Sequence, residues 1–394
     1  MSRANLHRRS FLGQALGAAA AGTALLPTPT RAGAPAGGPP RKVKIGVIGC
    51  GSVSNVYLPH LAKCPHAELV SVCDIIPSRA ERQAAAFHVA NRYPHIDQML
   101  AGAPFELLVN LTDMQAHEKL NRQTLEAGRH VWSEKPMANS LAAGQELLEV
   151  AKSKKVRFWG APAVVNSPQF AFMARKIAAG TLGRLAAAHA DYGHTGPDWS
   201  SFFYEKGGGS LPDLGVYNLT TLTGILGPAR AVIAMTSIIT PTRRIRGKGN
   251  IPVAAEDNAM VVLDHGEGVL SHVQSGFNYF NPHGHSGSQE ERHTITIYGT
   301  KGSMGLVGYD WDPRGVDVAT EKEPVFKRYA TDKGSYVWEQ GASLAAESLA
   351  TGKELLITPE HALHVVEIIG AARQSQETGR RVPLRSSFKW PVAS

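Results

Sequence analysis

A lysine follows an apolar run at a position where a strand could deliver its amine to a pocket. Val131-Trp132-Ser133 precedes Glu134-Lys135-Pro136. Proline disfavours helical backbone in the residue before it, so Lys135 is expected on an extended turn. Open α/β sheets bind ligands at the carboxyl ends of their parallel strands, and a lysine at such an end is a candidate for ligand contact.

A glycine turn about 85 residues earlier has the composition of a dinucleotide site. The strand-like run Val43–Ile48 leads into Gly49-Cys50-Gly51-Ser52-Val53-Ser54. Gly49 permits a tight turn, and Gly51 lets a pyrophosphate approach the backbone. The helix that begins at Ser52 and Val53 presents unpaired amides and partial positive charge to the phosphates. The third motif position is Ser54 rather than Gly or Ala, which makes the match imperfect.

An acid at the end of the next predicted strand supports this interpretation. Asp74 follows Gly51 by 23 residues, where a carboxylate can accept hydrogen bonds from the adenosine ribose hydroxyls. Asp74 favours NAD over NADP because a 2′-phosphate would meet a negative charge. Arg79, a few residues later, keeps NADP open.

Two further strand ends extend the expected cofactor site. Asn110 and Thr112 end one strand and are expected to line the nicotinamide ribose, while Glu134 and Lys135 follow the next. His117 has two interpretations of equal weight: it contacts the cofactor, or it only begins the following helix.

A glycine-rich segment in the second half leads into a predicted helix that carries an acid and a phenol. Gly207-Gly208-Gly209 precedes Asp213 and Tyr217, which share a helix face at i and i+4. The glycines, with Gly215 inside the helix, favour the close approach of another group.

These three motifs, in this order, resemble those of the Gfo/Idh/MocA family of oxidoreductases, over about residues 42–384. The resemblance implies a Rossmann domain that binds NAD(P) and a second domain whose open antiparallel sheet commonly forms the subunit interface, as a dimer or tetramer. It implies that Lys135 touches cofactor and substrate and that Asp213 orients the substrate. Tyr217 occupies the position where the family usually has its catalytic histidine.

A mechanism follows from these assignments. Tyr217, or Lys135 if it is neutral, takes the proton from a sugar hydroxyl while the carbinol hydride passes to the cofactor. Asp213 holds a neighbouring hydroxyl, and Lys135 stabilises the alkoxide. The ordinary pKa of a phenol, about 10, is high for a base. We therefore expect Lys135 and the oxidised nicotinamide to lower the pKa of Tyr217.

Weaker candidates surround this site. Trp199 stands in an aromatic cluster that can stack on a sugar or serve ordinary packing. Tyr192 and His194 share a face at a strand end, which makes them substrate contacts and His194 a second candidate acid or base. His283, His285 and His293 are better explained as a solvated loop than as a metal site, so no metal is predicted.

The spacing of apolar runs predicts the elements that position these residues. Residues 42–160 alternate strands with amphipathic helices, which is typical of a doubly wound parallel sheet. Residues 161–358 hold many strand-like runs and few helical patterns, and predict a substrate and oligomerisation domain with a large, mostly antiparallel open sheet. Residues 359–390 predict a helix and a tail that pack back on the core, with Thr358 as N-cap and Pro359 at the first helical position.

The first 34 residues predict export. His7-Arg8-Arg9-Ser10-Phe11-Leu12 is a twin-arginine pattern, and an apolar run too short for a membrane helix follows it. This predicts transport by the twin-arginine machinery to the periplasm or outside the cell; an uncleaved anchor or a disordered tail is the alternative. Of the formal net charge of +8, four charges lie in this segment, and the remainder is too small to predict nucleic-acid binding.

Three functions remain open on the sequence. The first is an exported oxidoreductase that acts on a sugar, polyol or glycoside with tightly bound NAD or NADP. The second is a redox-neutral glycosidase or lyase that passes through a transient keto-sugar. The third is a non-catalytic protein that binds a sugar or the cofactor.

Overall fold

The computed structural model describes residues 40–282 and 290–393. The predicted signal segment, residues 1–34, and the loop histidines His283 and His285 lie outside the described residues. Within the described part of the chain, no helix is both long and apolar enough to cross a membrane.

The first half is built on a six-stranded parallel sheet. Its strands are β1 (Val43–Ile48), β2 (Ala67–Cys73), β3 (Asn91–Tyr93), β4 (Leu107–Asn110), β5 (His130–Ser133) and β6 (Phe158–Gly160). The connecting helices are α1 (Ser54–Lys63), α2 (Pro77–Ala86), α3 (Ile96–Ala101), α4 (His117–Glu126) and α5 (Leu141–Ser153). The strand order is β3-β2-β1-β4-β5-β6, and it reverses at β1. Such a reversal opens a crevice at the carboxyl ends of the strands, where ligands bind.

The second half is built on a nine-stranded sheet that is mostly antiparallel. The remaining strands are β7 (Leu185–Gly193), β8 (Ala231–Ser237), β9 (Thr242–Ile245), β10 (Gly249–Pro252), β11 (Asn258–Gly266), β12 (Val269–Gly276), β13 (His293–Gly299), β14 (Gly302–Tyr309), β15 (Asp312–Thr320), β16 (Lys327–Tyr329) and β17 (Val382–Pro383). The order is β16-β15-β14-β13-β7-β12-β11-β8-β17, with β7 and β12 parallel, and β9 pairs with β10 alone. The predicted fold class is confirmed.

Three helices pack on this large sheet: α6 (Pro168–Ala178), α7 (Val216–Leu226) and α9 (Pro359–Thr378). A further helix, α8 (Gly341–Thr351), packs against β1, β2 and β5 of the parallel sheet. Thr358 caps α9 by accepting a hydrogen bond from the amide of His361, and Pro359 takes the first helical position, as predicted. Helix α9 packs against both β8 and β6, so it holds the two sheets together. Every residue of α7 is buried.

Candidate active site

A cavity of about 400 Å³ lies at the carboxyl ends of β1, β2 and β4. The predicted residues Gly49, Gly51, Asp74, Arg79 and Thr112 all line it. The cavity therefore occupies the crevice that the reversed strand order creates.

The glycine turn is shaped to accept a phosphate. Gly49 has φ +90°, and a Cβ there would lie 2.5 Å from the backbone of Leu111, so a side chain is excluded. A Cβ at Gly51 would meet nothing closer than Arg79, at 3.9 Å. Space at Gly51 is thus left open on the side where a pyrophosphate would approach the helix N-terminus, and the site fits the dinucleotide.

Ser54 explains the departure from the usual glycine motif. Its hydroxyl donates to the carbonyl of Gly51 at 2.6 Å and accepts from the side chain of Gln83 at 2.9 Å. The serine is fully buried. A glycine at this position would allow close packing, whereas Ser54 joins α1 to the glycine turn by a hydrogen bond.

Asp74 ties the end of β2 to the glycine turn. One carboxylate oxygen accepts from the amide of Cys50 and the other from the amide of Ile76, each at 2.8 Å. A carboxylate oxygen has two lone pairs, so both can still accept from ribose hydroxyls.

Two residues at or near the cavity were not predicted from the sequence. Ile75 is 76% exposed on the wall of the cavity, where an apolar side chain can pack against adenine. Arg82 donates to the carbonyl of Cys50 at 3.3 Å. The signals were an isoleucine pair directly after the acid and an arginine one helical turn after Arg79.

Asn110 and His117 are both held by hydrogen bonds within the fold. The Asn110 side chain is fully buried; it donates to Asn121 at 2.9 Å and accepts from the hydroxyl of Thr112 at 2.7 Å. His117 is buried, and its ring nitrogens lie 2.8 Å from the carbonyl of Pro136 and 2.9 Å from that of Thr112. Burial lowers the pKa of His117, and a neutral imidazole has one N–H, so the ring donates to one of these two carbonyls at a time. A cofactor contact of His117 stays a prediction.

Glu134 positions the lysine that follows it. One of its oxygens accepts from the hydroxyl of Tyr57 at 2.7 Å, and the other accepts from the backbone amide of Lys135 at 2.9 Å. The side chain is buried. Glu134 therefore holds the turn after β5, whereas the sequence suggested a cofactor contact for it.

Lys135 reaches across to the second half of the chain. Its amine donates to the Asp213 carboxylate at 2.7 Å and to the Asp213 carbonyl at 2.9 Å. The two side chains are 12% and 10% exposed. The amine also lies 5.2 Å from the ring centroid of Tyr217, within the range of a cation–π contact. The three predicted catalytic residues thus form one cluster.

The helix before Tyr217 is wider than predicted. Asp213 lies in a π-helical turn, Leu211–Gly215, and Tyr217 lies in the first turn of α7. Single π turns occur often at functional sites. Both side chains still meet Lys135, so the predicted common face is retained by a different backbone.

The phenol of Tyr217 is held protonated. Its pKa is raised well above the usual value of 10.0, first by burial and then by the carboxylates of Glu134, Asp213, Asp310 and Glu339. The expectation that the pKa of Tyr217 is lowered is wrong, because burial and then four carboxylates raise it, while the one nearby cation, Lys135, is itself paired with Asp213. The Tyr217 hydroxyl makes no hydrogen bond among the described residues, so it has a proton to donate.

Comparisons with known proteins agree with this geometry. Residues 43–161 match the model of the GFO/IDH/MocA oxidoreductase family, with its NAD-binding Rossmann fold, and residues 170–305 match the GFO/IDH/MocA C-terminal domain. The chain belongs to this family. It is an oxidoreductase that uses NAD(P).

Named relatives show the range of this oxidoreductase family. The chain is 24% identical to scyllo-inositol 2-dehydrogenase (NADP⁺) IolW of Bacillus subtilis over 380 residues, covering 87% of this chain and 96% of the relative. Among solved structures, levoglucosan dehydrogenase in complex with NADH and levoglucosan matches with a TM-score of 0.76 at 18% identity, covering 88% of this chain and 100% of that one. Aldose–aldose oxidoreductase from Caulobacter crescentus, complexed with glycerol, matches with a TM-score of 0.74 at 19% identity, over 87% and 100%. The two structures show a shared fold.

Other groups of the protein pack tightly against the glycine-rich segment of this Gfo/Idh/MocA oxidoreductase. A Cβ at Gly209 would lie 2.2 Å from the Glu256 carboxylate, and one at Gly208 would lie 2.4 Å from the carbonyl of Phe202. Gly215 is likewise close to the side chain of Leu211. Crowding by the fold itself explains why glycine is needed at these positions.

The weaker candidates of the oxidoreductase fall into two groups. Tyr192 lies edge-on to Tyr217 with ring centroids 6.3 Å apart, and it also contacts His194 at 6.1 Å. Trp199 is 37% exposed and packs against Phe203. The first group therefore borders the catalytic cluster, whereas Trp199 offers an accessible ring nearby.

His194 and His293 have defined partners. The Nδ1 of His194 accepts from the amide of Gly196 at 2.9 Å, and His293 lies 2.8 Å from the carboxylate of Asp317. In residues 40–282 and 290–393, no group of three or more His, Cys, Asp or Glu side chains has the arrangement of a metal site.

Proposed function

We propose that the enzyme transfers a hydride between the carbinol carbon of a sugar, polyol or glycoside and NAD(P), with Tyr217 as the proton-transfer residue. One observation carries this proposal: Lys135, which follows β5, meets Asp213 and Tyr217, and β5 pairs with β4, whose carboxyl end lines the cofactor cavity. The named relatives, which include a dehydrogenase of an inositol and one of levoglucosan, support a polyhydroxylated substrate.

The glycine turn, Asp74 and Arg79 would hold the cofactor. When bound, the oxidised nicotinamide supplies the hydride acceptor and a positive charge. Lys135 would donate a hydrogen bond to the reacting oxygen, and Asp213 holds the amine in place and can accept from a neighbouring hydroxyl.

The ionisation of Tyr217 favours one direction of reaction. A phenol with a raised pKa is protonated near neutrality, so it can donate to the oxygen of a ketone that is being reduced. The same group must be ionised to accept a proton from an alcohol. Carbonyl reduction is therefore favoured near neutral pH, and alcohol oxidation is favoured by high pH.

We further propose that the cofactor is tightly bound and that the folded protein is exported with it. The twin-arginine pattern at Arg8 and Arg9 supports export, because that route carries folded proteins. In support of tight binding, Gln115, next to the cavity, donates to the carbonyls of Phe202 at 2.8 Å and Lys206 at 3.4 Å. These bonds connect the loop after β4 to the second half of the chain beside the cofactor cavity.

A homo-oligomer formed through the large sheet is part of the same proposal. Alternate residues of β8, β11, β12 and β13 expose large apolar side chains on its outer face; they are Ile233, Met235, Met260, Val262, Leu270 and Tyr298. The register places Met260 beside Met235 and Val262 beside Ile233, so the patch is continuous. A continuous apolar patch of this kind favours association with a second copy.

The reaction can be tested with the cofactor absorbance of the purified protein. Mixing the reduced form with a panel of keto-sugars, or the oxidised form with sugars and polyols, should change the absorbance for at least one substrate. Tyr217→Phe and Lys135→Met should lose at least about 100-fold in rate, in line with the contribution of a proton-transfer group. Tyr329→Phe and Lys152→Met are matched exposed controls and should retain activity.

The outcomes separate the competing functions. Near-normal turnover in both Tyr217→Phe and Lys135→Met would refute the assignment. Release of an aglycone from a glycoside without net change in cofactor absorbance would establish the redox-neutral reaction instead. Binding without turnover on the whole panel would favour the non-catalytic alternative.

Cofactor retention and export have separate tests. Denaturing the purified protein should release one dinucleotide per chain, and its absence would refute tight binding. A fusion of the first 40 residues to a folded reporter should reach the periplasm, and replacing Arg8 and Arg9 by lysine should stop it. Export that survives this replacement would contradict the twin-arginine interpretation.

A further inference from the structure

A buried carboxylate lies behind Tyr217, in the two-residue turn between β14 and β15. Asp310 is 3% exposed. One of its carboxylate oxygens accepts from the hydroxyl of Thr221 at 2.9 Å and from the side-chain amide of Asn218 at 3.2 Å. Its other oxygen, Oδ1, is buried and has no hydrogen-bond partner within the described chain. A buried acceptor without a partner is costly, so this placement needs an explanation.

Asp310 anchors the surroundings of Tyr217 from two sides. Two side chains of α7 donate to it: Asn218, the residue after Tyr217, and Thr221, one helical turn after Tyr217. Its neighbours in the turn, Tyr309 and Trp311, both contact Tyr192, with ring centroids 4.4 and 6.2 Å away. Tyr192 in turn lies edge-on to Tyr217. One residue thus fixes both the helix that carries the phenol and the aromatic side chains beside it.

The charge of Asp310 is not neutralised by a cation. None of the ion pairs among residues 40–282 and 290–393 includes it, and the nearby Lys333 is paired with Asp312 at 2.6 Å. The groups that face it are phenols: Tyr336 donates to its backbone carbonyl at 3.3 Å, and the charge of Asp310 helps to raise the pKa of Tyr192, Tyr217 and Tyr336.

The other charged groups near Tyr217 come from different elements. Glu134 and Lys135 follow β5, Asp213 is in the π turn and Glu339 is in the segment before α8. Glu134 is bonded to Tyr57 and Asp213 is bonded to Lys135. Burial raises the pKa of Asp310 to about 6, so it is ionised in the neutral range.

We propose that Asp310 is a positioning residue for Tyr217: it holds α7, which carries the phenol, through Asn218 and Thr221, and its negative charge adds to the carboxylates that surround the phenol. This inference rests on the proposed role of Tyr217 in proton transfer. An amide would make the same hydrogen bonds to Thr221 and Asn218, so orientation alone does not require an unpaired carboxylate. The charge has an effect that the hydrogen bonds do not have, since it opposes ionisation of the neighbouring phenol.

Asp310→Asn separates the two effects. The amide oxygen keeps an acceptor for Thr221 and Asn218, and the new amino group occupies the place of the unpartnered Oδ1. The variant should fold with a thermal stability close to that of the native protein, because the loss of a buried charge offsets the cost of a buried amino group without an acceptor. Asp312→Asn makes the same chemical change two residues away, in a carboxylate that is paired with Lys333 and partly exposed.

The ionisation of Tyr217 can be followed without any turnover. Protein labelled with ¹³C at the tyrosine Cζ is titrated by NMR, and the Tyr217 signal is assigned by its absence in Tyr217→Phe. The Tyr217 titration should move to lower pH by about one unit in Asp310→Asn and should not move in Asp312→Asn. The inference would be overturned if Tyr217 in Asp310→Asn titrates at the same pH as in the native protein, or does not titrate within the pH range in which the protein stays folded.

Kinetics provide the second measurement. On the rising limb of alcohol oxidation against pH, a phenol pKa lower by one unit makes the rate at fixed pH about tenfold higher. A lower rate in Asp310→Asn with an unshifted limb would show a purely structural role and contradict the inference. If the native protein oxidises no substrate, the proposed function fails, and the NMR titration still decides the effect of Asp310 on Tyr217.

Discussion

Removing one partner of the Lys135–Asp213 ion pair should destabilise the protein far more than removing both. The two charges are 2.7 Å apart and nearly buried. Their attraction at this distance is about 6 kcal/mol at an effective dielectric constant of about 20. Desolvation offsets much of that attraction, and a buried charge left alone typically costs about 3–5 kcal/mol. Lys135→Met leaves the Asp213 carboxylate in that condition.

The double-mutant cycle measures this effect directly. We expect Lys135→Met to lower the free energy of unfolding by about 3 kcal/mol. Asp213→Asn alone should cost a similar amount, and combining the two changes should restore most of the loss, with a coupling energy of about 4–5 kcal/mol. Urea unfolding followed by tryptophan fluorescence, on protein freed of cofactor, gives the four values.

An exposed pair serves as the control for this cycle. Lys327 and Glu323 are 3.0 Å apart, but both side chains are more than half exposed. Lys327→Met should have no measurable effect on unfolding, because solvent screens such pairs. If Lys135→Met and Asp213→Asn destabilise the protein additively, the two charges do not form a coupled buried pair and the reasoning is refuted.

Two further predictions concern the cofactor turn and the large sheet. Gly51→Val should preserve thermal stability and abolish dinucleotide binding in calorimetry, because the valine side chain enters the open space where the phosphates approach. Gly49→Ala should instead lower thermal stability, because its Cβ would lie 2.5 Å from the backbone of Leu111, and equal behaviour of the two variants would contradict this account. Met235→Glu should reduce the mass of the oligomer measured by size-exclusion chromatography with light scattering, because Met235 is 77% exposed within the apolar patch. Val325→Glu, at a position that is 71% exposed outside the patch, should leave the mass unchanged, and an unchanged mass in both variants would exclude this face as the interface.

Much of the fold could be predicted because its signals are local. Apolar runs and helical periodicity located five of the six strands of the parallel sheet, and helices α2, α4 and α5, to within a residue or two. The short strand β3, helix α3, the hairpin of β9 and β10 and helix α8 were not predicted. Residues 341–351 are rich in alanine and serine, so their periodicity is weak. The π turn, Leu211–Gly215, had no signal in the sequence, because an extra residue in one helical turn is fixed by packing.

The members of the catalytic cluster could be predicted, but their electrostatics could not. The resemblance to the Gfo/Idh/MocA family, carried by the order of the three motifs, implied that Lys135, Asp213 and Tyr217 share one site. The pKa of Tyr217 depends on which carboxylates fold against it, and two of them, Asp310 and Glu339, come from about 90 and 120 residues later in the chain. No short-range pattern reports such distant charges. The same limit applies to His117, whose burial between two carbonyls depends on the turn after β5.

The pH dependence of the two reaction directions tests the central claim, that Tyr217 is the proton-transfer residue of an NAD(P)-dependent oxidoreductase. Because the pKa of Tyr217 is raised, ketone reduction by the native enzyme should be independent of pH through the neutral range, and alcohol oxidation should rise without a plateau up to about pH 9. Tyr217→His should bring the oxidation plateau down to about pH 7, near the ordinary pKa of an imidazole. A native plateau near neutral pH that Tyr217→His leaves unchanged would contradict the account.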